Sequence, residues 1–356
     1  MSDAATDADT PADPAAALVA AARGAEALAG ERLAAAGVEL SRPPGFGIDD
    51  GARARSAAIV AQLVSAAETA LRTAEPAFAA LPEGAAARRF ASAGLLARSG
   101  LGAAVLRRAE EHRLAAALAA GAGEEEGPGA RRLDPIGGSF VAESFAVRAA
   151  EAARIDRTGE PLLPLADCDA EDRHALFWQV AACLSFALLD AEDRPVDAVH
   201  RLASAGVGRA LAAIDESDGI AAAAMALAHA LAGAGQIDDE LLAGTLAGGR
   251  VASLAAMLAV RAGIGFDEAN GMLTDPARAT LLLRACGVER NMAAAMILAL
   301  CYALDRGFPP VPAEKAAALV GGYEALAVED ARAEVRRARL EPFYRDAFAA
   351  LTETRC

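Results

Sequence analysis

The longest run of non-polar residues marks the helix about which the rest of the chain is predicted to pack. No charged residue occurs from Ala175 to Leu189, and the apolar side chains fall on every side of a helix drawn at 100° per residue. Because a helix that is apolar all round is usually buried all round, we expect Trp178 to lie in the core. The run is shorter than the roughly 18 apolar residues of a membrane span, so the pattern predicts a core helix of a soluble protein.

Changes of pattern along the chain divide it into four predicted segments. Residues 1–14 are small, acidic and interrupted by proline, so we expect a disordered tail. Successive Ala-rich helical stretches predict a helical bundle at 15–120. Gly, Pro and a run of charges at 121–138 predict a flexible linker or exposed loop. Residues 139–356 contain short helical stretches with short breaks, and we expect them to form a helical-repeat domain.

Similar helix ends indicate that the second half of the chain repeats one structural unit. LAVRAGI at 258–264 and LLRACGV at 282–288 both end with Arg, one or two small residues, Gly and an apolar residue. This order is typical of a glycine C-cap with its hydrophobic contact. The predicted fold is therefore all-α, an irregular HEAT-like array of helical repeats and bundles without a sheet. The composition agrees, because aromatic residues make up only 4% of the chain and Ala and Leu dominate.

Four stretches carry a resemblance to a known family. They are HALFWQVAA at 174–182, DDELLAGTLAGGR at 238–250, DPARATLLLRACGV at 275–288 and RLEPFYRDAFAAL at 339–351. In this order they resemble the uncharacterised alphaproteobacterial DUF family of HEAT-like all-helical proteins, most closely in the second half of the chain. The resemblance implies an all-helical fold. It transfers no catalytic residue, because the matching positions are apolar and capping residues.

Charge, cysteine spacing and the N-terminal stretch indicate which partners, cross-links and location to expect. The formal net charge is −15, which argues against nucleic acid or an anionic membrane surface as the main partner. The five cysteines are far apart and form no CxxC motif, so neither a disulfide framework nor a zinc site is predicted. The N-terminal stretch lacks the positive and apolar regions of a secretory signal, and we therefore expect a cytoplasmic protein.

One histidine suggests a specific chemistry. His229 in MALAHALAGAG resembles the Ala-His-x-Leu-Lys-Gly signature of histidine phosphotransfer domains, which carry an exposed histidine on a helical bundle. Ala232 stands where that signature has the lysine that helps to hold the phosphoryl group. We therefore expect His229 to be packed or half-buried, and a phosphotransfer signalling module is kept as the alternative function.

No other motif points to catalysis or to a bound cofactor. The four histidines lack the helical spacing of a shared metal site, and neither a nucleophile elbow nor a phosphate-binding glycine loop is present. The sequence thus predicts a non-enzymatic interaction or scaffold protein, without metal or cofactor, whose protein partner is unknown. Arg261 and Arg284 are candidate partner-binding residues, because they occupy matched positions before the two glycine caps; the alternative is that each only stabilises its own helix end.

Overall fold

The chain forms helices and no β-strand wherever its structure is described. The computed structural model describes residues 13–41, 48–98, 100–122, 140–304 and 312–340, together with Tyr344, Ala347, Phe348 and Leu351. Sixteen α-helices and three short 3-10 helices lie within these ranges. The predicted all-α fold is confirmed.

The helices follow one another with short connections throughout the described ranges. In chain order they are α1 (Pro14–Leu40), α2 (Asp50–Ala74), α3 (Pro76–Ala79), α4 (Ala85–Ser92), α5 (Leu101–Ala122), α6 (Val141–Ala153), α7 (Ala170–Ala191), α8 (Val196–Ala212), α9 (Ile220–Gly233), α10 (Asp239–Ala247), α11 (Val251–Ala262), α12 (Phe266–Leu273), α13 (Pro276–Ala285), α14 (Arg290–Leu304), α15 (Pro312–Ala325) and α16 (Val328–Ala338). The 3-10 helices are Leu95–Arg98, Leu165–Asp167 and Glu216–Asp218.

Local sequence explains where many of these helices begin and end. At the start of α13 the Asp275 carboxylate accepts hydrogen bonds from the amides of Ala277 and Arg278, at 2.9 and 3.0 Å, and Pro276 occupies the first turn. Four helices end at a glycine with φ between 66° and 68°, which is a left-handed backbone conformation. The amide of the residue after each glycine donates a hydrogen bond to the carbonyl five residues before it. The glycines are Gly235, Gly249, Gly263 and Gly287. The glycine caps predicted at the last two positions are confirmed.

The described helices divide into two compact units. One unit comprises residues 28–257, and α7 is the helix at its centre. Helices α2, α4 and α8 pack on α7, while α6 packs on α9 and α5 packs on both α2 and α10. The core side chains contributed by α7 include Leu176, Phe177, Val180 and Leu184, all without exposed surface.

The other unit comprises residues 258–356 with the first part of α1, within the described ranges. Helix α13 is its centre and contacts α12, α14, α15 and α16. The start of α1 packs closely on α15, because a Cβ atom added at Gly322 would lie only 2.8 Å from Cβ of Leu18. This close approach explains why α15 carries a glycine at that point.

The predicted tail and linker lie largely outside the described residues. Of the tail at 1–14, only Asp13 and Pro14 are described, and Pro14 begins α1. Residues 123–138 of the linker also lie outside the description, while Gly121 and Ala122 end α5. Helix α7 packs on α2 and α4, which the sequence analysis assigned to a different domain. The division at the linker stays a prediction.

Helix α7 also meets a length criterion for membrane helices. Among the described helices it is the one long and apolar enough to cross a membrane by length and composition, a test that core helices also pass. Half of its most apolar stretch is buried within the protein.

Candidate interaction surface on the central helix

One face of α7 is exposed and carries two aromatic side chains. His174, Trp178, Ala182, Phe186 and Asp190 follow one another at four-residue spacing, and all five are exposed. Residues four apart form a continuous ridge along a helix. We call this row the α7 stripe.

The structure corrects the prediction that Trp178 lies in the core. Its exposed fraction is 40%, and that of Phe186 is 61%. The next residue back, Phe177, is completely buried, because a step of one residue turns the side chain by about 100°. An apolar composition on all sides of α7 therefore did not mean burial on all sides.

Local contacts fix both ends of the stripe. The Trp178 indole Nε1 donates a hydrogen bond to Nε2 of His174 at 3.0 Å, so the neutral imidazole carries its proton on Nδ1. At the other end the Arg89 guanidinium lies 5.9 Å from the centre of the Phe186 ring and donates to the Asp190 carboxylate at 2.8 Å. The aromatic side chains are thus held on the surface of the helix.

The 3-10 helix Leu95–Arg98 lies beside the stripe. The Gln179 amide donates to the Leu95 carbonyl at 3.5 Å, and Leu95 and Leu96 are half-buried. These leucines add apolar surface next to the aromatic row.

A second feature of the same unit is a buried group of four charged side chains. The Arg154 guanidinium donates to both carboxylate oxygens of Glu111, at 2.6 and 2.8 Å, and its Nε lies 3.0 Å from an oxygen of Asp167. Arg108 donates to the carbonyls of Leu162 and Arg154, at 2.9 and 2.7 Å. The group ties α5 to the end of α6 and to the segment that leads into α7.

Burial sets the pKa values of this group. Desolvation, assisted by the positive charge of Arg154, lowers the pKa of Arg108 to about 10. Desolvation likewise raises the pKa of Asp167, against the opposite effect of Arg154. Asp167 also accepts a hydrogen bond from the amide of Ile220 at 2.7 Å. Because these groups bind one another and nearby backbone, the arrangement serves to hold the fold.

Sequence reasoning missed this buried group. Arg108 and Glu111 lie among charged neighbours in RRAEEHR, which resembles a solvated face. The burial of Arg108 could have been predicted from helical spacing, because Arg108 lies on the same side of α5 as the buried residues Leu101, Ala104 and Val105.

The structure corrects the expectation that His229 is packed or half-buried. Its side chain is exposed in the second half of α9, and its helical neighbours Ala226 and Ala232 are exposed as well. An exposed histidine is what the phosphotransfer alternative requires. No described contact brings a cation to His229 in place of the absent lysine.

Arg261 and Arg284 are half-buried and bind backbone carbonyls. Arg261 donates to the Cys286 carbonyl at 2.8 Å. Arg284 donates to the Leu326 carbonyl at 2.6 Å, and its guanidinium lies 4.9 Å from the centre of the Tyr323 ring. Each arginine therefore binds the end of a neighbouring helix and also lies in the last turn of its own helix, where a cation is favourable. A role for either residue in partner binding stays a prediction.

The described histidines, cysteines and carboxylates are not arranged as a metal site. No group of three or more of these side chains within the described ranges could hold a metal ion. The histidines lie apart from one another: His112 on α5, His174 on α7, His200 on α8 and His229 on α9.

Together these observations define an all-helical protein with an exposed aromatic row on its central helix. Residues 137–336 match the family described as "Uncharacterised protein conserved in bacteria (DUF2336)", and the protein belongs to this family. The resemblance seen in the sequence is confirmed, and the matched region contains the whole of α7. No curated protein and no solved structure matches the chain.

Proposed function

We propose that this protein is a non-enzymatic, cytoplasmic interaction or scaffold protein and that a protein partner binds the α7 stripe. The observation that carries the proposal is the exposure of Trp178 and Phe186 in one row on the helix at the centre of the core. Aromatic residues are enriched at protein interfaces, and a few such residues often supply most of the binding energy.

The rigidity of α7 supports this role. The face opposite the stripe is anchored by completely buried side chains such as Phe177 and Leu184. Arg89 and His174 restrain the two exposed aromatic rings. Because the surface is already ordered, binding costs less conformational entropy than it would at an unrestrained loop.

Repeated helix ends support the further proposal that residues 139–356 consist of HEAT-like repeats. Four helices in this range end with the same left-handed glycine and the same backbone hydrogen bond. Helical repeats commonly present extended surfaces for partner proteins.

The interaction role is tested by capture of partners on the tagged full-length protein in its native host. The double variant Trp178→Ser, Phe186→Ser should lose a partner that the unchanged protein retains. Phe145→Ser is the matched control, because Phe145 is an exposed aromatic residue on a different helix, α6. If the unchanged protein, the double variant and the Phe145→Ser control capture the same proteins and have equal melting temperatures, the stripe is excluded as the contact surface.

Histidine phosphotransfer is the second candidate function, and the exposure of His229 favours it. In this reaction a ring nitrogen of His229 would attack the phosphorus of an aspartyl phosphate on a receiver domain. The bond to the aspartate oxygen breaks as the bond to nitrogen forms, and the aspartate leaves as a carboxylate. The test is transfer of labelled phosphate from a phosphorylated receiver domain.

His229→Gln should abolish this labelling, whereas His200→Gln should leave it unchanged, because His200 is an exposed histidine on a different helix. Absence of labelling on the unchanged protein, across a panel of receiver domains from the host, would reject this candidate.

A further inference from the structure

We infer that residues 14–27 at the start of α1 are a detachable strap, and that the surface they cover on α15 and α16 binds a partner helix with the same side-chain pattern. The inference goes beyond the proposed function, since it uses neither the α7 stripe nor His229. The covered surface contains Gly322 of α15 and Glu334 and Arg337 of α16, and we call it the strap site.

The strap buries one face of its helix. The buried and half-buried residues of this face are spaced at i, i+3, i+4, i+7, i+10 and i+11; they are Ala15, Leu18, Val19, Ala22, Ala25 and Glu26. An amphipathic helix that lies in the groove of a partner protein uses anchors at the same spacing. The strap therefore indicates the kind of ligand that its site accepts, because the chain's own helix already occupies the site.

A close backbone approach fixes the position of the strap on α15. A Cβ atom added at Gly322 would lie 2.8 Å from Cβ of Leu18 and 2.9 Å from the carbonyl oxygen of Pro14. A Cβ atom added at Gly321, the preceding residue of the same helix, would meet nothing within 4 Å. The strap thus requires glycine at 322 but not at 321.

The order of charges fixes the direction of the strap on α16. The Arg23 guanidinium donates to both carboxylate oxygens of Glu334, at 3.0 and 2.5 Å. Arg337 donates to the Glu26 carboxylate at 3.2 Å. Arginine precedes glutamate by three residues on the strap, whereas glutamate precedes arginine by three on α16. A helix bound in the opposite direction would bring like charges together, so the site favours one orientation.

Few contacts hold the strap in place. Among residues 14–27, Leu18 is the one large apolar side chain that is buried. Arg23 is exposed, and ion pairs with an exposed member contribute little to stability. A segment with so few buried contacts opens locally more often than the core of its unit does.

Two glycines weaken the helix that forms the strap. Gly24 and Gly30 lie within α1, and a Cβ atom added at either position would meet nothing within 4 Å. Packing therefore does not require glycine there, and each glycine makes the helix less stable than alanine would. The helix can unwind or bend at these residues when the strap leaves its site.

Hydrogen exchange of the full chain tests whether the strap detaches. Amides of residues 19–27 should exchange about tenfold faster than those of α13, the helix at the centre of the unit. Gly322→Ala should accelerate the exchange of the strap further, because the added methyl group displaces it. Gly321→Ala is the matched control and should leave this exchange unchanged. Strap amides as slow as those of α13, or equal effects of the two substitutions, would overturn the inference.

Charge reversal tests the assigned ion pairs. Arg23→Glu and Glu26→Arg in one chain should accelerate the exchange of the strap, because like charges then face each other on α16. Adding Glu334→Arg and Arg337→Glu should restore the slower exchange, since both pairs form again with opposite signs. Failure of the fourfold variant to recover would contradict the assigned orientation.

A labelled peptide with the sequence of residues 13–28 serves as the partner helix. In fluorescence anisotropy it should bind the full chain that carries Arg23→Glu and Glu26→Arg, with a Kd in the high micromolar range. The unchanged chain should bind it about tenfold more weakly, because its own strap competes at a high effective concentration. Adding Gly322→Ala to the double variant should abolish binding, and adding Gly321→Ala should not. Absence of binding to the double variant at about 500 µM, or binding that Gly322→Ala leaves intact, would overturn the inference.

Discussion

Phe177 and Trp178 are consecutive residues whose side chains meet different surroundings. Phe177 packs in the core of the 28–257 unit with no exposed surface, while Trp178 lies on the α7 stripe and hydrogen-bonds to His174. The energetic importance of each ring therefore follows from its direction on the helix and not from its size.

Alanine substitution at these two positions should have unequal costs. We expect Phe177→Ala to lower the free energy of unfolding by about 3–5 kcal/mol, because it leaves a cavity. Trp178→Ala should cost about 1–2 kcal/mol, since much of the ring is already in water. Urea denaturation measures both. Equal losses would show that Trp178 is buried after all.

Glu110 and Glu111 are also consecutive residues with different surroundings, and here both side chains are charged. Glu111 is buried and held by both terminal nitrogens of Arg154. Glu110 pairs with Arg32, whose side chain is half exposed. Glu111→Gln should cost about 3–5 kcal/mol, because it leaves the buried Arg154 without its main counter-charge. Glu110→Gln should cost less than about 1 kcal/mol in the same denaturation measurement; comparable losses would contradict the assigned difference.

At the scale of elements, arginine side chains connect helix ends in the unit that contains residues 258–356. Arg261 binds the end of α13, Arg284 binds Leu326 just beyond α15, and Arg332 of α16 donates to the Ala285 carbonyl at 3.1 Å. Carbonyls at a helix C-terminus lack internal donors, and a cation there also interacts favourably with the helix dipole. The planar guanidinium suits this position better than an ammonium does.

Arg284→Lys should therefore not be a conservative change. Lysine keeps the charge but loses the directed Nε hydrogen bond to Leu326 and the flat contact with Tyr323. We expect a loss of about 1–2 kcal/mol in the free energy of unfolding. Arg201→Lys, at an exposed position on α8, should change it by less than about 0.5 kcal/mol. A neutral Arg284→Lys would leave partner binding as the better explanation for this arginine.

Helix α16 is linked to α1 by a carboxylate whose effect depends on pH. Burial alone would raise the pKa of Glu334, but hydrogen bonds from Arg23 and Arg337 outweigh it and lower the pKa below its usual 4.5. The folded state therefore prefers the ionised form. The resulting stability is fully present above about pH 4.5 and is lost as the pH falls through the lower, folded-state value.

Glu334→Gln should lower the free energy of unfolding by about 1 kcal/mol at pH 7, a modest amount because Arg23 is half exposed. The difference from the unchanged protein should shrink as the pH falls below about 4.5. Glu329→Gln is the control, since its pair with Arg332 is largely exposed. A difference that stays constant down to pH 3 would rule out the assigned ionisation.

The helices show which structural features can be predicted from a sequence and which cannot. The helix ends at Gly263 and Gly287 were predictable, because a glycine cap depends on a few consecutive residues. The direction of the α7 stripe was not, since a helix that is apolar on every side gives no periodic signal. The charges of Glu111, Arg154 and Asp167 meet only after distant segments fold together, so no local pattern reveals them.

The chain contains a single tryptophan, and that tryptophan lies in the α7 stripe beside His174. Indole emission moves to shorter wavelength when water leaves the ring, and a protonated imidazole nearby quenches it. All tryptophan fluorescence of the protein therefore comes from this one surface. Unlabelled protein can report by light alone when the row of aromatic side chains is covered, whichever molecule covers it.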